Sequence, residues 1–194
     1  MGDAASASAS FVPGTRVPLV SATAQHREAR TVMSRFKDHL QTELAGPLAR
    51  LILSALARAL PLVPPRSPLV VTTIPATWAA RRKRGFTPMR LVLRRAGVAH
   101  ASTLTSRGVR QDQRALDAVA RARNVHGTMR ARADVAGCSV ILVDDVVTTG
   151  ATVAEAIRAL TAAGAHVVAV VCLCVVPKVF PETRESRDRR TIQA

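Results

Sequence analysis

Two adjacent carboxylates followed by a hydroxyl-rich turn are the residues of this 194-residue chain whose types and spacing can do chemistry. Asp144 and Asp145 only accept hydrogen bonds when ionised, so the pair suits the hydroxyl groups of a sugar. The turn after them offers backbone N–H groups, hydroxyl donors and one glycine that lets a ligand approach the backbone. The turn residues are Val147, Thr148, Thr149, Gly150, Ala151 and Thr152. The segment therefore predicts a site for a hydroxylated sugar that carries a phosphate.

A strand and a helix must position this segment. Residues 139–143 are an apolar, β-branched run that predicts a buried strand, and residues 151–163 place apolar side chains at helical spacing. Residues 167–175 predict the next strand, so the three elements form a βαβ unit with parallel strands. Ligands of such sheets bind beyond the carboxyl ends of the strands, where a helix N-terminus attracts phosphate. The carboxylates and the turn are therefore expected at the binding edge.

Other phosphate-binding motifs do not fit the segment. No Gly-Lys-Ser/Thr follows the turn, which excludes a Walker A loop, and Gly150 is its one glycine, which excludes a dinucleotide fingerprint. A purely structural role, in which the aspartates cap the helix and the threonines shape the turn, is the alternative. Two adjacent carboxylates repel each other and need cations or hydroxyl groups nearby, which favours a ligand site.

The rest of the chain predicts one α/β domain with two irregular ends. Residues 1–24 contain proline and glycine and predict an irregular leader, residues 25–176 form the domain, and the charged residues 177–194 predict a mobile tail. The other predicted elements are a helical segment over residues 27–60 that is split at Gly46-Pro47, a buried strand over residues 69–74 that Pro75 ends, and a helix over residues 88–96.

The composition favours a folded protein of a reducing compartment. Hydrophobic residues make up 48% of the chain, and its length fits one domain. The three cysteines, Cys138, Cys172 and Cys174, are an odd, sparse set that predicts free thiols. The longest nearly apolar run, residues 167–176, is shorter than the roughly 20 residues that span a bilayer, and residues 1–10 have no apolar signal region. We therefore expect a cytoplasmic protein without membrane association.

Positive charge is concentrated in one part of the chain. The net charge is +15, and residues 44–111 contain 12 Arg or Lys and no acidic residue. Such a stretch calls for polyanions, either ligand phosphates or nucleic acid, although a general bias toward Ala and Arg is an equal alternative. Aromatic residues make up only 3%, so any nucleic acid is expected to bind through its phosphates and to dissociate as salt increases.

The Asp-Asp segment resembles the motif with which type I phosphoribosyltransferases bind phosphoribosyl pyrophosphate (PRPP). In that family apolar residues lead to two acidic residues and then to a Thr/Gly-rich loop, as in residues 140–152 here. The resemblance implies that Asp144 and Asp145 are the ribose-binding and catalytic residues, and that residues 147–152 hold the 5′-phosphate. It implies an α/β fold with a mainly parallel central sheet flanked by helices and a small hood.

Further motifs resemble the ComF-like branch of that family. Arg84-Gly85-Phe86 is similar to the start of its RGFNQ stretch, and Arg35-Phe36-Lys37-Asp38 is similar to its early tyrosine–lysine region. Its Q-x-x-L…R-x-x-N-V-x-G stretch is matched by Gln113, Leu116, Arg121, Asn124, Val125 and Gly127. Thr87-Pro88 stands where that branch has Asn-Gln, and the chain has neither its zinc-ribbon cysteines nor its tyrosine. A zinc-linked role therefore does not transfer.

The resemblance implies transfer of ribose 5-phosphate from PRPP to a nitrogen acceptor, with release of pyrophosphate. The acceptor and the oligomeric state are not predicted, no protein metal site is predicted, and Mg²⁺ would be carried by PRPP. Two further residue sets are implied: Pro75, Ala76, Thr77, Arg81 and Arg84 for pyrophosphate, and Gln113, Arg121 and Asn124 in a flexible loop over PRPP. The alternative is a PRPP-binding accessory or regulatory protein without turnover, linked to DNA uptake and competence.

Overall fold

The described part of the chain is a five-stranded sheet with helices on both faces. The computed structural model describes residues 10–24, 26–39, 41–76, 82, 84–106 and 125–176. The strands are β1 (Ser10–Phe11), β2 (Pro18–Thr23), β3 (Leu69–Thr73), β4 (Leu104–Ser106), β5 (Met129–Ala131), β6 (Ser139–Val147) and β7 (His166–Val175). The helices are α1 (His26–Asp38), α2 (Ala45–Ala59), α3 (Pro88–Arg95) and α4 (Ala151–Ala162), with single 3-10 turns at Thr42–Leu44, Leu60–Leu62 and Ala133–Val135.

The main sheet has the strand order β1-β2-β7-β6-β3. Only β1 and β2 pair in antiparallel fashion, and the other three pairings are parallel. β6, α4 and β7 form the predicted βαβ unit, while β4 and β5 form a separate antiparallel pair. The predicted fold class, a mainly parallel sheet flanked by helices, is confirmed.

Alternation along β6 divides the core into two layers. Ile141 and Val143 pack among residues of α1, α2 and α3 on one face of the sheet. Val140 and Leu142 pack among residues of α4 on the other face. A strand buried on both faces carries apolar residues at every position, which is why the sequence before Asp144 is uninterrupted by polar side chains.

The end of β3 is level with the end of the apolar part of β6. Thr73 is opposite Val143 in the register, and the Ile74 N–H donates to the Val143 carbonyl oxygen over 3.3 Å. Residues that follow β3 therefore leave the sheet beside Asp144. The predicted strand over residues 69–74 is confirmed within one residue at its carboxyl end.

The prediction of an irregular leader over residues 1–24 is wrong for residues 10–23, which form β1, a tight turn and β2. Leu19 is opposite Val170 in a parallel pairing, so β2 completes the edge of β7. The turn is closed by the Val12 N–H donating to the Val17 carbonyl oxygen over 3.0 Å, and Gly14 there has φ +76°. Proline and glycine, interpreted as signs of irregular structure, instead shape this hairpin.

The helical segment over residues 27–60 is divided at a different place from the one predicted. α1 ends at Asp38 and α2 begins at Ala45, so Gly46-Pro47 lies in the first turn of α2. A proline there costs the helix no hydrogen bond, because the N–H groups of the first turn have no partner within the helix. The dipeptide therefore starts a helix instead of breaking one.

In the part of the chain that the structure describes, one helical stretch, Thr42–Leu62, is long and apolar enough by length and composition alone to cross a membrane. It contains α2, whose buried Leu48 and Ile52 pack with Val171 and Leu173 in the core under the sheet. A core helix of a folded domain meets the same criterion, and packing in the core accounts for the buried residues of this stretch, 39% of the apolar window.

The β4–β5 pair is attached to α4 through one buried carboxylate. Glu155 is 4% exposed and accepts from the Met129 N–H over 2.9 Å and from Arg158 over 2.7 and 2.8 Å. Burial alone would raise the pKa of Glu155, but hydrogen bonds from Arg158 and from the backbone N–H groups of Met129 and Gly127 lower it to about 2. The ionised carboxylate thus fixes β5 on the helix that follows the Asp-Asp segment.

Glu155→Gln is expected to lower the free energy of unfolding at pH 7 by roughly 2 kcal/mol, because the amide places an N–H group against the Arg158 donors. The contribution of Glu155 is fully present above its ordinary pKa of 4.5 and is lost as pH falls toward 2. Urea unfolding at several pH values should therefore show the difference between the variant and the unmodified protein shrinking below pH 4.5. Glu43→Gln, at an exposed position, is the control; an equal loss in both variants would contradict the attachment.

Candidate functional site

The two aspartates lie inside the last four residues of β6, which runs to Val147 and not to Val143 as predicted. The Asp145 N–H donates to Asp144 Oδ1 over 2.8 Å, and the Val146 N–H donates to Asp145 Oδ1 over 2.7 Å. Each carboxylate therefore has one oxygen held by the backbone, while the second oxygen of Asp144 is left for a ligand and the second oxygen of Asp145 is in contact with Lys37. Continued pairing of Val146 and Val147 with β7 keeps both side chains at a fixed place on the sheet edge.

A lysine from the other side of the site neutralises part of this charge. Lys37, near the end of α1, contacts Asp145 Oδ2, and the two side chains are 26% and 14% exposed. Burial raises the pKa of Asp144 to about 6, although the Lys37 charge acts in the opposite direction. Burial lowers the pKa of Lys37, against the attraction of Asp144. Sequence reasoning named Lys37 only within a resemblance and gave it no role.

The raised pKa of Asp144 means that its ionised carboxylate destabilises the folded protein at neutral pH. The folded protein holds this proton more tightly than the unfolded chain, in which the carboxyl has its ordinary pKa of 3.8. The free energy of unfolding therefore falls as pH rises from about 3.8 to about 6. A carboxylate that is kept ionised at such a cost is typical of a functional site.

The predicted phosphate loop, residues 147–152, and the two aspartates together surround a cavity. The cavity has a volume of about 230 Å³ and is lined by residues 144–153. α4 begins at Ala151, directly after Gly150, which has φ +74°. The first turn of α4, whose N–H groups have no partner within the helix, therefore lines the same cavity as the two carboxylates. All the residues predicted from the Asp-Asp segment are brought to one place.

The N-terminal hairpin packs against this loop, which the sequence did not predict. A Cβ atom on Gly150 would lie 2.8 Å from Cδ of Pro13, so the side chain of Pro13 fills the space where any other residue would extend. The sequence predicts that the ligand requires a glycine at position 150, and the contact with Pro13 requires one independently. Pro13 thereby limits the conformations open to the phosphate loop.

Gly150→Ala is expected to weaken phosphate-dependent ligand binding about ten-fold or more, because the alanine is strained at positive φ and also displaces Pro13. Gly137→Ala is the matched control, since Gly137 has φ +72° with no atom within 4 Å of an added Cβ. Both variants carry the backbone strain, and only the first moves the hairpin. Calorimetric titration with ribose 5-phosphate measures the effect; the same affinity in both variants would exclude a role of Pro13 in positioning the loop.

Two segments that resemble separate family motifs, residues 35–38 and residues 84–86, lie next to each other near the aspartates. Phe36 of α1 contacts Phe86, with ring centroids 5.7 Å apart and planes at 60°. Beside them Arg84 donates to Asp38 Oδ1 over 3.4 Å, and its Nε is buried without a hydrogen-bond partner in the described part of the chain. The end of α1 thus lies beside the carboxyl end of β6.

The residues predicted to bind pyrophosphate are only partly described. Pro75 and Ala76 are half-buried and follow β3, next to Asp144. Arg84 lies close enough to Lys37 for its charge to lower the pKa of that lysine, so it belongs to the same cluster. Thr77 and Arg81 lie outside the described residues, as do Gln113, Arg121 and Asn124 of the predicted loop.

Two more features bear on ligands. A cavity of about 560 Å³ lies beside the start of α3, and its basic lining residues are Arg82, Arg90 and Arg94. Within the described ranges, no group of three or more His, Cys, Asp or Glu side chains comes together closely enough to hold a metal ion. Cys172 and Cys174 are buried in the core, and all three cysteines are free thiols, as predicted.

Comparison with known proteins gives matches of several kinds. A family model described as phosphoribosyl transferase domain matches residues 82–191. The chain is 33% identical over 151 residues to the DNA utilization protein YhgH of Salmonella typhimurium, a match that covers 74% of this chain and 65% of that protein. It is 62% identical over 39 residues to the orotate phosphoribosyltransferase of a Nocardioides species, covering 20% of this chain and 22% of that one.

A solved structure of the allosteric regulatory enzyme of purine biosynthesis aligns with a TM-score of 0.41 at 19% identity, over 68% of this chain and 26% of that one. The chain spans 65% of the length of the YhgH relative, so about a third of that protein has no counterpart in the match.

Proposed function

The chain belongs to the phosphoribosyl transferase domain family, and from that premise we propose that it binds PRPP at the end of β6 and transfers ribose 5-phosphate to a nitrogen acceptor. One observation carries the proposal: Asp144, Asp145 and the phosphate loop surround a single cavity of about 230 Å³. The carboxylates that suit sugar hydroxyls therefore lie next to the helix N–H groups that suit a phosphate. In ribose 5-phosphate the hydroxyls and the phosphate are likewise adjacent.

The roles follow from the chemistry of each group. Asp144 Oδ2 and Asp145 Oδ2, the latter shared with Lys37, accept the ribose hydroxyls, and the N–H groups at the start of α4 bind the 5′-phosphate. The acceptor nitrogen gives an electron pair to C1 of the ribose, the bond between C1 and the pyrophosphate oxygen breaks, and pyrophosphate leaves with that pair. A proton on the acceptor nitrogen passes to water. The fixed carboxylates also favour the positive charge that develops on the ribose.

Mg²⁺ belongs to the proposal as an ion carried by PRPP. The described residues around the cavity supply two carboxylates, and one of them already contacts Lys37, which fits an ion held mainly by ligand oxygens and water. Bound in that way, Mg²⁺ neutralises the leaving pyrophosphate. No protein side chain is assigned to it.

The pyrophosphate would lie where β3 leaves the sheet, near Pro75, Ala76 and Arg84. Thr77 and Arg81 remain proposed members of that set. Gln113, Arg121 and Asn124 are proposed to close over bound PRPP and exclude water. The three free thiols fit a reducing compartment, and the cytoplasm is the proposed location.

Calorimetric titration of PRPP with Mg²⁺ tests the proposal, with ribose 5-phosphate as the comparison ligand. We expect binding in the micromolar range and a weaker response to ribose 5-phosphate, which lacks pyrophosphate. Release of pyrophosphate from PRPP in the presence of a panel of nitrogen bases then tests transfer. Absence of PRPP binding at moderate salt would refute the proposal.

The similarity to proteins named for DNA utilization favours a second candidate, a PRPP-binding accessory protein without turnover that acts in DNA uptake. The basic cavity beside α3 offers phosphate contacts for such a role. PRPP binding without pyrophosphate release, together with binding of single-stranded DNA that weakens steeply with salt, would favour this candidate over the transferase.

A further inference from the structure

A second open cavity adjoins the proposed PRPP cavity on the side of α1. It has a volume of about 540 Å³ and is lined by Arg27, Arg30, Thr31, Met33, Ser34, Lys37 and Val146. Val146 lines both cavities, and Lys37 from the second contacts Asp145 in the first. The two spaces therefore meet at the carboxylates proposed to hold the ribose.

The second cavity is cationic. Arg27, Arg30 and Lys37 fall on one face of α1, because positions three, four, seven and ten residues apart lie along the same side of a helix. Among the residues that the structure describes, no acidic side chain lines this space. Lys37 is matched by Asp145, whereas Arg27 and Arg30 make no ion pair with any described residue.

Nearby acidic groups do not compensate these two arginines. The Asp38 carboxylate accepts from Ser34 over 3.2 Å and from Arg84 over 3.4 Å. Glu28 is exposed and does not line the cavity. The guanidinium groups of Arg27 and Arg30, next to the apolar side chain of Met33, therefore suit a ligand that combines an anionic group with an apolar ring or chain. A guanidinium binds carboxylate through two parallel hydrogen bonds, which orients a planar ligand.

We propose that this cavity is the acceptor site and that the acceptor is a nitrogen heterocycle carrying a carboxylate. The inference rests on the proposed function, since it places the acceptor by reference to the ribose. A ring beside Val146 is next to Asp145 and hence next to the reacting carbon. The carboxylate pairs with Arg27 and Arg30, the ring packs on Met33, and the oxygens of Thr31 and Ser34 accept from ring N–H groups. The volume is ample for a single heterocycle.

The test compares matched probes that differ in charge: orotate with uracil, and nicotinate with nicotinamide. Binding of each is measured by calorimetry with the full chain saturated with ribose 5-phosphate, and turnover is measured as pyrophosphate release from PRPP. We expect at least one acidic probe to bind about ten-fold more tightly than its neutral partner. Arg27→Gln with Arg30→Gln should remove that preference while PRPP affinity changes less than about two-fold.

The double variant should fold, because both arginines are exposed. Arg50→Gln with Arg95→Gln is the control, since it removes the same charge from exposed positions on α2 and α3 that line neither cavity. Equal binding of acidic and neutral probes, or a preference that survives in the Arg27/Arg30 variant, would overturn the inference. So would failure of both acidic probes to bind while PRPP binds. If the unmodified protein does not bind PRPP, that result would instead refute the proposed function itself.

Discussion

Asp144→Asn combined with Asp145→Asn is expected to reduce PRPP affinity at least about 100-fold while the fold survives. Hydrogen bonds to a charged acceptor contribute roughly 1.5–3 kcal/mol each, so loss of two gives a factor of this size. An asparagine keeps one side-chain oxygen, which still accepts from the next N–H group, as each aspartate does now. The local backbone should therefore keep its shape, and binding should suffer from the change of charge alone.

Calorimetry with PRPP and Mg²⁺ measures this effect, and circular dichroism with urea unfolding checks the fold. Asp134→Asn is the control, because Asp134 is exposed and pairs only with Arg132 among the described side chains. An amide at position 144 no longer requires a buried charge, whereas the amide at position 145 removes the carboxylate that Lys37 contacts, so the free energy of unfolding at pH 7 should change little in the double variant. Unchanged PRPP affinity would remove both aspartates from the binding site.

The part of the fold predicted best is the part whose signals are local. Residues 139–175 contain a β-branched apolar run, a glycine-marked turn, a helix with one apolar face and a second apolar run, and each occurs where predicted within a few residues. The error at the end of β6 has a physical cause. Aspartates are unfavourable in strands, but Val146 and Val147 continue the pairing with β7 and draw Asp144 and Asp145 into the strand.

The N-terminal hairpin could not be predicted because its partners are distant in sequence. Leu19 pairs beside Val170, and Pro13 packs against Gly150, both more than a hundred residues away. Locally, proline and glycine in this segment are equally compatible with a loop and with a turn between strands. Only the unpaired edge of β7 decides between them, and that edge exists only in the assembled sheet.

The carboxylates and the phosphate loop were predictable because one segment contains them all. The cationic half of the site was not, because Arg27, Arg30 and Lys37 have the spacing of an ordinary solvated helix face. One signal was present: these residues alternate with the buried Met33 and Phe36, so α1 must have one apolar side on the sheet. What the cationic side faces depends on where α1 crosses β6, and that is set by tertiary packing such as the Phe36–Phe86 contact.

Lys37→Met is expected to move the pH dependence of PRPP binding toward alkaline pH. In the unmodified protein Asp144 has a pKa of about 6, with burial raising it and Lys37 restraining it. Affinity for PRPP should therefore fall as pH drops through about 6, because the protonated carboxyl accepts fewer hydrogen bonds from the ribose. Without the ammonium group, the midpoint should rise by about one pH unit, the size of effect that a nearby opposite charge has on a carboxyl pKa.

Measurement of PRPP affinity in both the unmodified protein and Lys37→Met isolates the effect of Lys37, because the phosphates of PRPP titrate identically in the two series of measurements. Affinities measured from pH 5 to pH 9 should differ about five-fold at pH 6, approach a ten-fold difference at about pH 5, and differ much less at pH 8.5, where Asp144 is ionised in either protein. Lys37→Arg keeps the positive charge beside Asp145 and should restore the original midpoint. A merely structural lysine would instead lower affinity equally at every pH. A midpoint that is the same in Lys37→Met and in the unmodified protein would show that Lys37 does not control the ionisation of Asp144.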